Sequence, residues 1–273
     1  MTPRPTGPLA GVRILDLTSV ILGPYATQIL ADFGADVIKV ERPRHGDESR
    51  TFPPYVKAAD GTETDDSAYF MSINRGKRSV TVDLSTPRGQ EIVRRLAARA
   101  DVLVENYKVG DLKRYGLDYA SLSEINPRIV YCSITGYGQS GPYAEKPGYD
   151  YVFQGLGGLM SITGERDDKP GGGPQKVGVA VADVVTGMYA TVAILAALHH
   201  RGQTGKGQYI DMALLDCLVA LGGNQAASYL VTGKSPPRMG NEHQSLVPYQ
   251  VFPTKDGHII IAVGNDTQWQ RFC

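Results

Sequence analysis

Strand-like apolar runs that alternate with helical patterns predict an α/β fold: an open parallel sheet with flanking helices, followed by the start of a smaller second domain. Three observations carry this expectation. The chain opens with a complete βαβ pattern over 12–41, and the alternation continues over 79–135. A Lys/Pro-rich loop at 233–239 then precedes a hairpin pattern, which places the large domain at 1–232 and a linker with the beginning of the small domain at 233–273.

The elements follow in order. Residues 12–17 form a short apolar run, and Gly23-Pro24 opens a helical pattern that stops at Gly34, with proline in the first turn and glycine past the last. Residues 36–41 are rich in β-formers and end at Arg42-Pro43, after which a polar loop is expected over 43–66. A strand is predicted at 79–84. Ser85-Thr86-Pro87 then caps a helix with Ile92, Val93 and Leu96 on one face and Arg94, Arg95 and Arg99 on another. Strands at 101–105 and 129–135 flank a helix at 119–125 that ends at Asn126-Pro127.

Beyond these, the Gly-rich stretch 148–164 reads as partly helical and 169–174 as a loop. A long apolar helix is predicted at 183–200, broken by 201–207, then a strand at 209–213 and one helix at 215–231. Residues 247–252 and 258–263 form a hairpin through Lys255-Asp256-Gly257. Residues 267–273 begin an amphipathic helix too short to stand alone, so a covering partner or further chain is expected.

Folding a chain of 273 residues buries about 70% of the surface exposed when unfolded. Neither disulfides nor a structural metal is needed at that size. Its 28 Lys plus Arg balance 28 Asp plus Glu, so no net field draws it to nucleic acid or acidic lipid. Cys132, Cys217 and Cys273 are far apart, with no CxxC and no His at metal-ligand spacing, which predicts a reducing compartment and no metal site. The proline-rich, polar start at 1–8 has no apolar signal core, and no run reaches about 18 uninterrupted apolar residues. The expectation is a cytoplasmic protein with no nucleic-acid or membrane partner.

Asp183 is a carboxylate set among apolar residues where a helix begins. Read as structure, it is an N-cap. Read as chemistry, helix amides hold it as an anion that can act as a nucleophile. Asp150, after Tyr149, likewise begins a helical stretch and reads first as a cap. Asn74-Arg75-Gly76-Lys77-Arg78 is either a solvated loop or a phosphate clamp, which Arg42, Arg44, Lys108, Lys113 and Arg114 would extend. The turn 18–24 holds a single glycine and no GxGxxG, which argues against a nicotinamide dinucleotide. The glycines of 154–158 read as close helix packing, and His199 and His200 as residues suited to a helix C-terminus.

One ordered set of motifs runs along almost the whole chain. It comprises Gly7-Pro-Leu-Ala-Gly-Val-Arg-Ile-Leu-Asp-Leu17, Leu22-Gly-Pro24, Leu30-Ala-Asp-Phe-Gly-Ala-Asp-Val-Ile-Lys-Val-Glu41, Asn74-Arg-Gly-Lys-Arg-Ser79 and Val104-Glu-Asn106. Gly136-Tyr-Gly138, Gly141-Pro-Tyr143, Pro147-Gly-Tyr-Asp150, Asp183-Val-Val-Thr-Gly187, Thr204-Gly-Lys-Gly-Gln208 and Pro248-Tyr249 continue it. The set resembles the class III CoA-transferases, the group that includes formyl-CoA transferase, carnitine CoA-transferase and α-methylacyl-CoA racemase.

The resemblance implies a Rossmann-like large domain, an interlocked homodimer, and CoA transfer between carboxylic acids with Asp183 as the nucleophile and no metal or redox cofactor. It implies CoA contacts from Ser19, Val20, Ile21 and Leu22, from Arg42, from Asn74, Arg75, Lys77 and Arg78, from Asn106 and Tyr107, and from Arg114. Ser19 departs from the His or Gln often found at its position. The racemase branch carries a His where this chain has Tyr149, and tyrosine replaces a racemase acid/base group poorly, so a transferase is favoured. The segment holding Gly240, Asn241, His243 and Gln244 lies where transferases keep a mobile substrate loop. It looks most like the succinyl-CoA:dicarboxylate branch, which implies succinyl-CoA as donor and a dicarboxylate acceptor. Family members are longer, so the chain is expected to be a fragment, a truncated product or one piece of a split protein. A catalytically silent CoA-binding fragment or assembly partner is the alternative.

Overall fold

The computed structural model describes residues 6–273; residues 1–5 of the proline-rich start lie outside the described residues. The chain forms two compact units. One holds everything up to Phe153 together with Ala180–Leu218, and the other holds Gln154–Val179 and Val219–Cys273.

The first unit opens as the apolar pattern predicts, with β1 at Arg13–Leu17, α1 at Leu22–Asp32 and β2 at Asp36–Glu41. The expected loop over 43–66 is more ordered than its polarity suggests. It contains a 3-10 turn at Glu48–Thr51 and an antiparallel ribbon of β3, Tyr55–Lys57, with β4, Glu63–Ser67. The sequence of β4, Glu-Thr-Asp-Asp-Ser, has no apolar alternation to reveal a strand. Helix α2, Ala68–Asn74, follows, with the Ser67 hydroxyl accepting the Phe70 amide at 3.3 Å. Seven residues are too few to show a helical period.

Strand β5 is Arg78–Thr81 rather than the expected 79–84, because its partner β2 ends at Glu41, opposite Thr81. Helix α3, Pro87–Ala97, starts as predicted: the Thr86 hydroxyl accepts the Gly89 amide at 3.1 Å, with Pro87 in the first turn. Then come β6 at Val102–Glu105, α4 at Tyr119–Ile125 and β7 at Val130–Thr135. Helices α5, Asp150–Leu156, and α6, Leu159–Ile162, occupy the Gly-rich stretch.

Helix α7 runs over Val181–Thr204, past its expected end, and stops at Gly205, whose φ is 75°. Strand β8 is Gln208–Ala213. The single helix expected at 215–231 is two, α8 at Leu214–Leu221 and α9 at Gly223–Thr232, divided where Gly222-Gly223 interrupts the helix formers. Within the second unit β9, Tyr249–Pro253, pairs antiparallel with β10, His258–Ala262. The last helix, α10, is Asp266–Phe272, and Asn265 caps its start by accepting the Gln268 amide at 3.0 Å.

The six-stranded sheet has the order β5-β2-β1-β6-β7-β8, and every pairing in it is parallel. This is the open parallel sheet that the alternation predicted. Strands β6 and β7 are buried at every residue, as strands covered by helices on both faces must be. On one face Val93 and Ala97 of α3 and Leu122 of α4 pack with Leu15, Leu103 and Tyr131. Chain order reverses between β1 and β6. In such sheets the crevice beyond the carboxyl ends of those two strands is where ligands bind.

Helix α7, at 24 residues, is long and apolar enough to cross a bilayer by length and composition. Its buried residues include Thr186, Gly187, Ala190 and Ile194. Gly187 permits its approach to α1: a β-carbon there would stand 2.7 Å from the Leu22 carbonyl oxygen and 3.1 Å from the Tyr25 ring. Gly187→Ala is therefore expected to cost about 1–3 kcal/mol through overpacking, read as a lower urea midpoint with an unchanged slope.

Candidate active site

The loop that leaves β1 forms one wall of the switch-point crevice. Ser19 donates its amide to Asn106 Oδ1 and accepts Asn106 Nδ2 at its carbonyl, both at 3.0 Å, so the loops after β1 and β6 are tied across the reversal. Val20 has φ 68°, an uncommon conformation for a β-branched residue, and its amide is held by Asp47 Oδ1 at 3.1 Å. Asp47 in turn meets buried Lys39 at 2.8 Å, while Lys39 Nζ donates to the Thr18 carbonyl at 2.7 Å. The strained turn is thus held by a buried ion pair from β2 and the loop that follows it.

Below this turn lies a cleft of about 570 Å³ that Ser19, Arg42, Asn106, Tyr107 and Arg114 all line. Arg42 pairs with Glu48 at 3.2 Å, both largely exposed. Arg114 pairs with Asp111 at 3.5 Å and lies over the Tyr115 ring at 4.7 Å. Two guanidiniums held this loosely, next to an amide and a backbone turn, suit a phosphorylated ligand. A second cleft, of about 200 Å³, shares Asn106, Tyr107 and Lys108 with the first and reaches Leu22, Gly136 and Tyr149.

The basic cluster divides differently. Lys77 is buried: its ammonium meets Asp16 at 3.0 Å, the Pro24 carbonyl at 2.8 Å and Asn74 Oδ1 at 2.8 Å. Asp16 also accepts the hydroxyls of Thr18 and Thr27 at 2.5 and 2.7 Å. Although burial opposes charge on both partners, Lys77 and Lys39 hold the Asp16 carboxyl below the usual carboxylate range, and Lys77 is pushed down to about 8. Arg75 pairs with Asp32. Arg78 pairs with Asp36 at 2.7 Å, where β5 and β2 begin, at the end of the sheet away from the crevice. Asn74, Arg75, Lys77 and Arg78 are therefore engaged with the protein itself, and none of them lines the two clefts.

Asp183 lies in the first turn of α7 but does not cap it. The cap comes from Asp150, whose Oδ1 accepts the amides of Ala182 at 2.7 Å and Asp183 at 3.4 Å. Asp150 was expected to cap, but it caps a helix 32 residues further along. The expectation that helix amides hold Asp183 as an anion is reversed, since those donors are taken. No described group donates a hydrogen bond to its carboxylate, and burial, aided by the Asp150 charge, pushes it up to about 7. Tyr69 of α2, which the sequence analysis did not single out, lies within the field of both carboxylates. Burial and those charges push its phenol up to about 12. Tyr149, next to Asp150 in the chain, is exposed and lines the second cleft.

Gly240, Asn241, His243 and Gln244 belong to the second unit. Gly240 donates its amide to the Gly164 carbonyl at 3.2 Å, and His243 Nδ1 accepts the amides of Ser245 and Leu246 at 3.0 and 3.1 Å. The His243 ring packs on Tyr249 with centroids 4.9 Å apart, and Gln244 reaches Ser228 at 3.4 Å.

Known proteins resemble this chain along nearly its whole length. A model of CoA-transferase family III matches residues 9–273. The succinate–glutarate CoA-transferase of Agrobacterium fabrum is 54% identical over 272 residues, covering 99% of this chain and 67% of that protein. The succinyl-CoA:glutarate CoA-transferase of Homo sapiens is 49% identical over 267 residues, covering 97% of this chain and 58% of its own. Among solved structures, a CAIB/BAIF family protein from Brucella suis superposes with a TM-score of 0.88 at 52% identity, over 97% of this chain and 68% of that one. The chain belongs to CoA-transferase family III. It spans 58–67% of the length of these two curated relatives.

Proposed function

We propose that this chain is the CoA-binding and catalytic portion of a transferase that moves CoA from succinyl-CoA to a second dicarboxylic acid, glutarate being the acceptor its relatives suggest. The observation that carries the reading is Asp183, a buried carboxylate beside the Asp150 charge, made basic by that burial and without a hydrogen-bond donor among the described residues. The guanidiniums take the phosphates of CoA, and Asn106 with the Ser19 turn guides the pantetheine arm. A homodimer in a reducing, cytoplasmic compartment belongs to the same reading, and the free thiols of Cys132, Cys217 and Cys273 fit it.

The chemistry follows from two nucleophiles, the Asp183 carboxylate and the CoA thiolate, acting in turn. The Asp183 carboxylate attacks the thioester carbonyl, the C–S bond breaks and CoA leaves as thiolate, giving a mixed anhydride. The thiolate attacks the Asp183 carbonyl of that anhydride, a C–O bond breaks, and the donor acid departs as carboxylate, leaving an aspartyl-CoA thioester. The acceptor carboxylate then runs the two steps in reverse. No net proton or electron is consumed. The raised pKa suits this role, because a more basic carboxylate is the better nucleophile once ionised.

The test is intact-protein mass spectrometry after mixing with succinyl-CoA, before and after hydroxylamine. A labile acyl or CoA ester mapped to Asp183 is the expected result. A folded, CoA-binding chain that never acquires the adduct would leave a silent CoA-binding protein instead. The pH dependence is also set. Asp183 must be ionised to attack, so the adduct-forming rate should rise through about pH 7 and level off above it. Asp150→Asn retains an oxygen for the α7 cap but removes the neighbouring charge. Its rise should come at lower pH, yet above that of an ordinary aspartate, because burial is the larger cause.

A further inference from the structure

Glu105 closes β6 where the strand order reverses, and only 6% of it is exposed. Among the described residues no cation pairs with it. Its partners are neutral: Oε1 accepts the Ser133 hydroxyl, and Oε2 accepts the Tyr107 amide at 2.7 Å. The Ser133 oxygen itself accepts Gln139 Nε2 at 2.9 Å. Leaving a carboxyl in such surroundings is costly, and burial pushes it up to about 7. A β-branched apolar residue would complete this buried parallel strand at no such cost.

What the carboxyl gains is control of the chain just beyond it. Oε2 fixes the Tyr107 amide, and between the two residues stands Asn106, whose side chain exchanges two hydrogen bonds with Ser19. The strained Val20 turn follows directly. Contacts thus run without a gap from Gln139 through Ser133, Glu105, Tyr107 and Asn106 to the β1–α1 loop, across both loops that line the crevice.

We infer that Glu105 is the positioning residue of the CoA crevice: its carboxyl sets the 105–107 turn, so that Asn106 holds the Ser19–Leu22 loop ready for an acyl-CoA. The role in CoA binding rests on the proposed function above; the positioning of the two loops does not. A carboxyl satisfied only for its own sake would leave the Ser19 loop indifferent to its removal.

The experiment compares Glu105→Ala and Glu105→Gln by hydrogen exchange over 104–109 and 18–22 and by calorimetric titration with CoA. Glu105→Ala should speed exchange in both segments and weaken CoA about tenfold, since a loop that is no longer preorganised must be ordered on binding. Glu105→Gln should stay within about twofold of the wild type, because its carbonyl oxygen can still accept the Tyr107 amide while its amide donates to Ser133. If the alanine variant does not fold, Glu105→Asp replaces it: the charge is kept, the reach to Tyr107 is lost, and faster exchange at 18–22 is again expected. Unchanged exchange at 18–22 in Glu105→Ala, or in Glu105→Asp where it replaces alanine, overturns the inference, as does equal weakening by Gln and Ala. A wild type that binds no CoA overturns the transferase reading instead, and the exchange comparison still decides the positioning role.

Discussion

Asp183→Ala should abolish acyl-adduct formation and lower CoA transfer by at least about 10³-fold, the scale expected when a covalent nucleophile is removed. CoA affinity should stay close to that of the wild type, because the residues that line the Arg42–Arg114 cleft are untouched. The same substitution should stabilise the fold. With its pKa raised from the ordinary aspartate value to about 7, Asp183 binds a proton more tightly folded than unfolded, so its presence lowers stability as pH rises from about 4 through 7. The alanine variant should therefore melt higher than the wild type at pH 8, with the gap closing toward pH 4. Retained turnover would remove Asp183 from the mechanism. A melting gap independent of pH would remove the account of its basicity.

Lys77→Met is expected to act on stability rather than on CoA binding. The ammonium is buried against Asp16, with side-chain exposures of 2% and 0%, so its loss leaves a carboxylate facing a hydrophobic side chain. Breaking one side of such a pair costs about 3–5 kcal/mol. Lys39 and the hydroxyls of Thr18 and Thr27 still face Asp16, which favours the lower end of that range. Asp16→Asn combined with Lys77→Met should recover part of the loss, because the stranded charge is gone. Urea unfolding and CoA titration on the same samples separate the alternatives. Unchanged stability with lost CoA affinity would restore Lys77 to a phosphate clamp.

These two residues show where the sequence was legible. Asp183 stands out by its motif, and its acidity was read the wrong way round. The helix-start argument assumed that the nearest carboxylate takes the free amides, whereas Asp150 takes them from 32 residues away. Lys77 sits in a run of charges that reads as solvated or phosphate-binding, yet its partner Asp16 lies 61 residues earlier, in the first strand. One signal was available: a lysine or aspartate inside an otherwise apolar parallel strand, such as Lys39 in β2 or Asp16 in β1, has to find a buried partner. Tyr69 offered no such cue, since an aromatic beside Phe70 in a short helix is ordinarily core.

By itself the sequence determined what depends on neighbours along the chain. Strand β2 at 36–41 and helix α4 at 119–125 match their predicted bounds, because apolar period and Gly, Pro and Asn punctuation act within a few residues. The alternation of such elements was enough to specify an open parallel sheet, and the ordered motifs were enough to point to Asp183. Only the tertiary structure decided which cations are buried in ion pairs, which carboxylate caps α7, and which residues tie the loops after β1 and β6 together. Ser19 and Asn106 are 87 residues apart in sequence, and the exchange of hydrogen bonds between them exists only once β1 and β6 lie side by side. Burial and pairing set the charge of each group, and neither is written in local sequence.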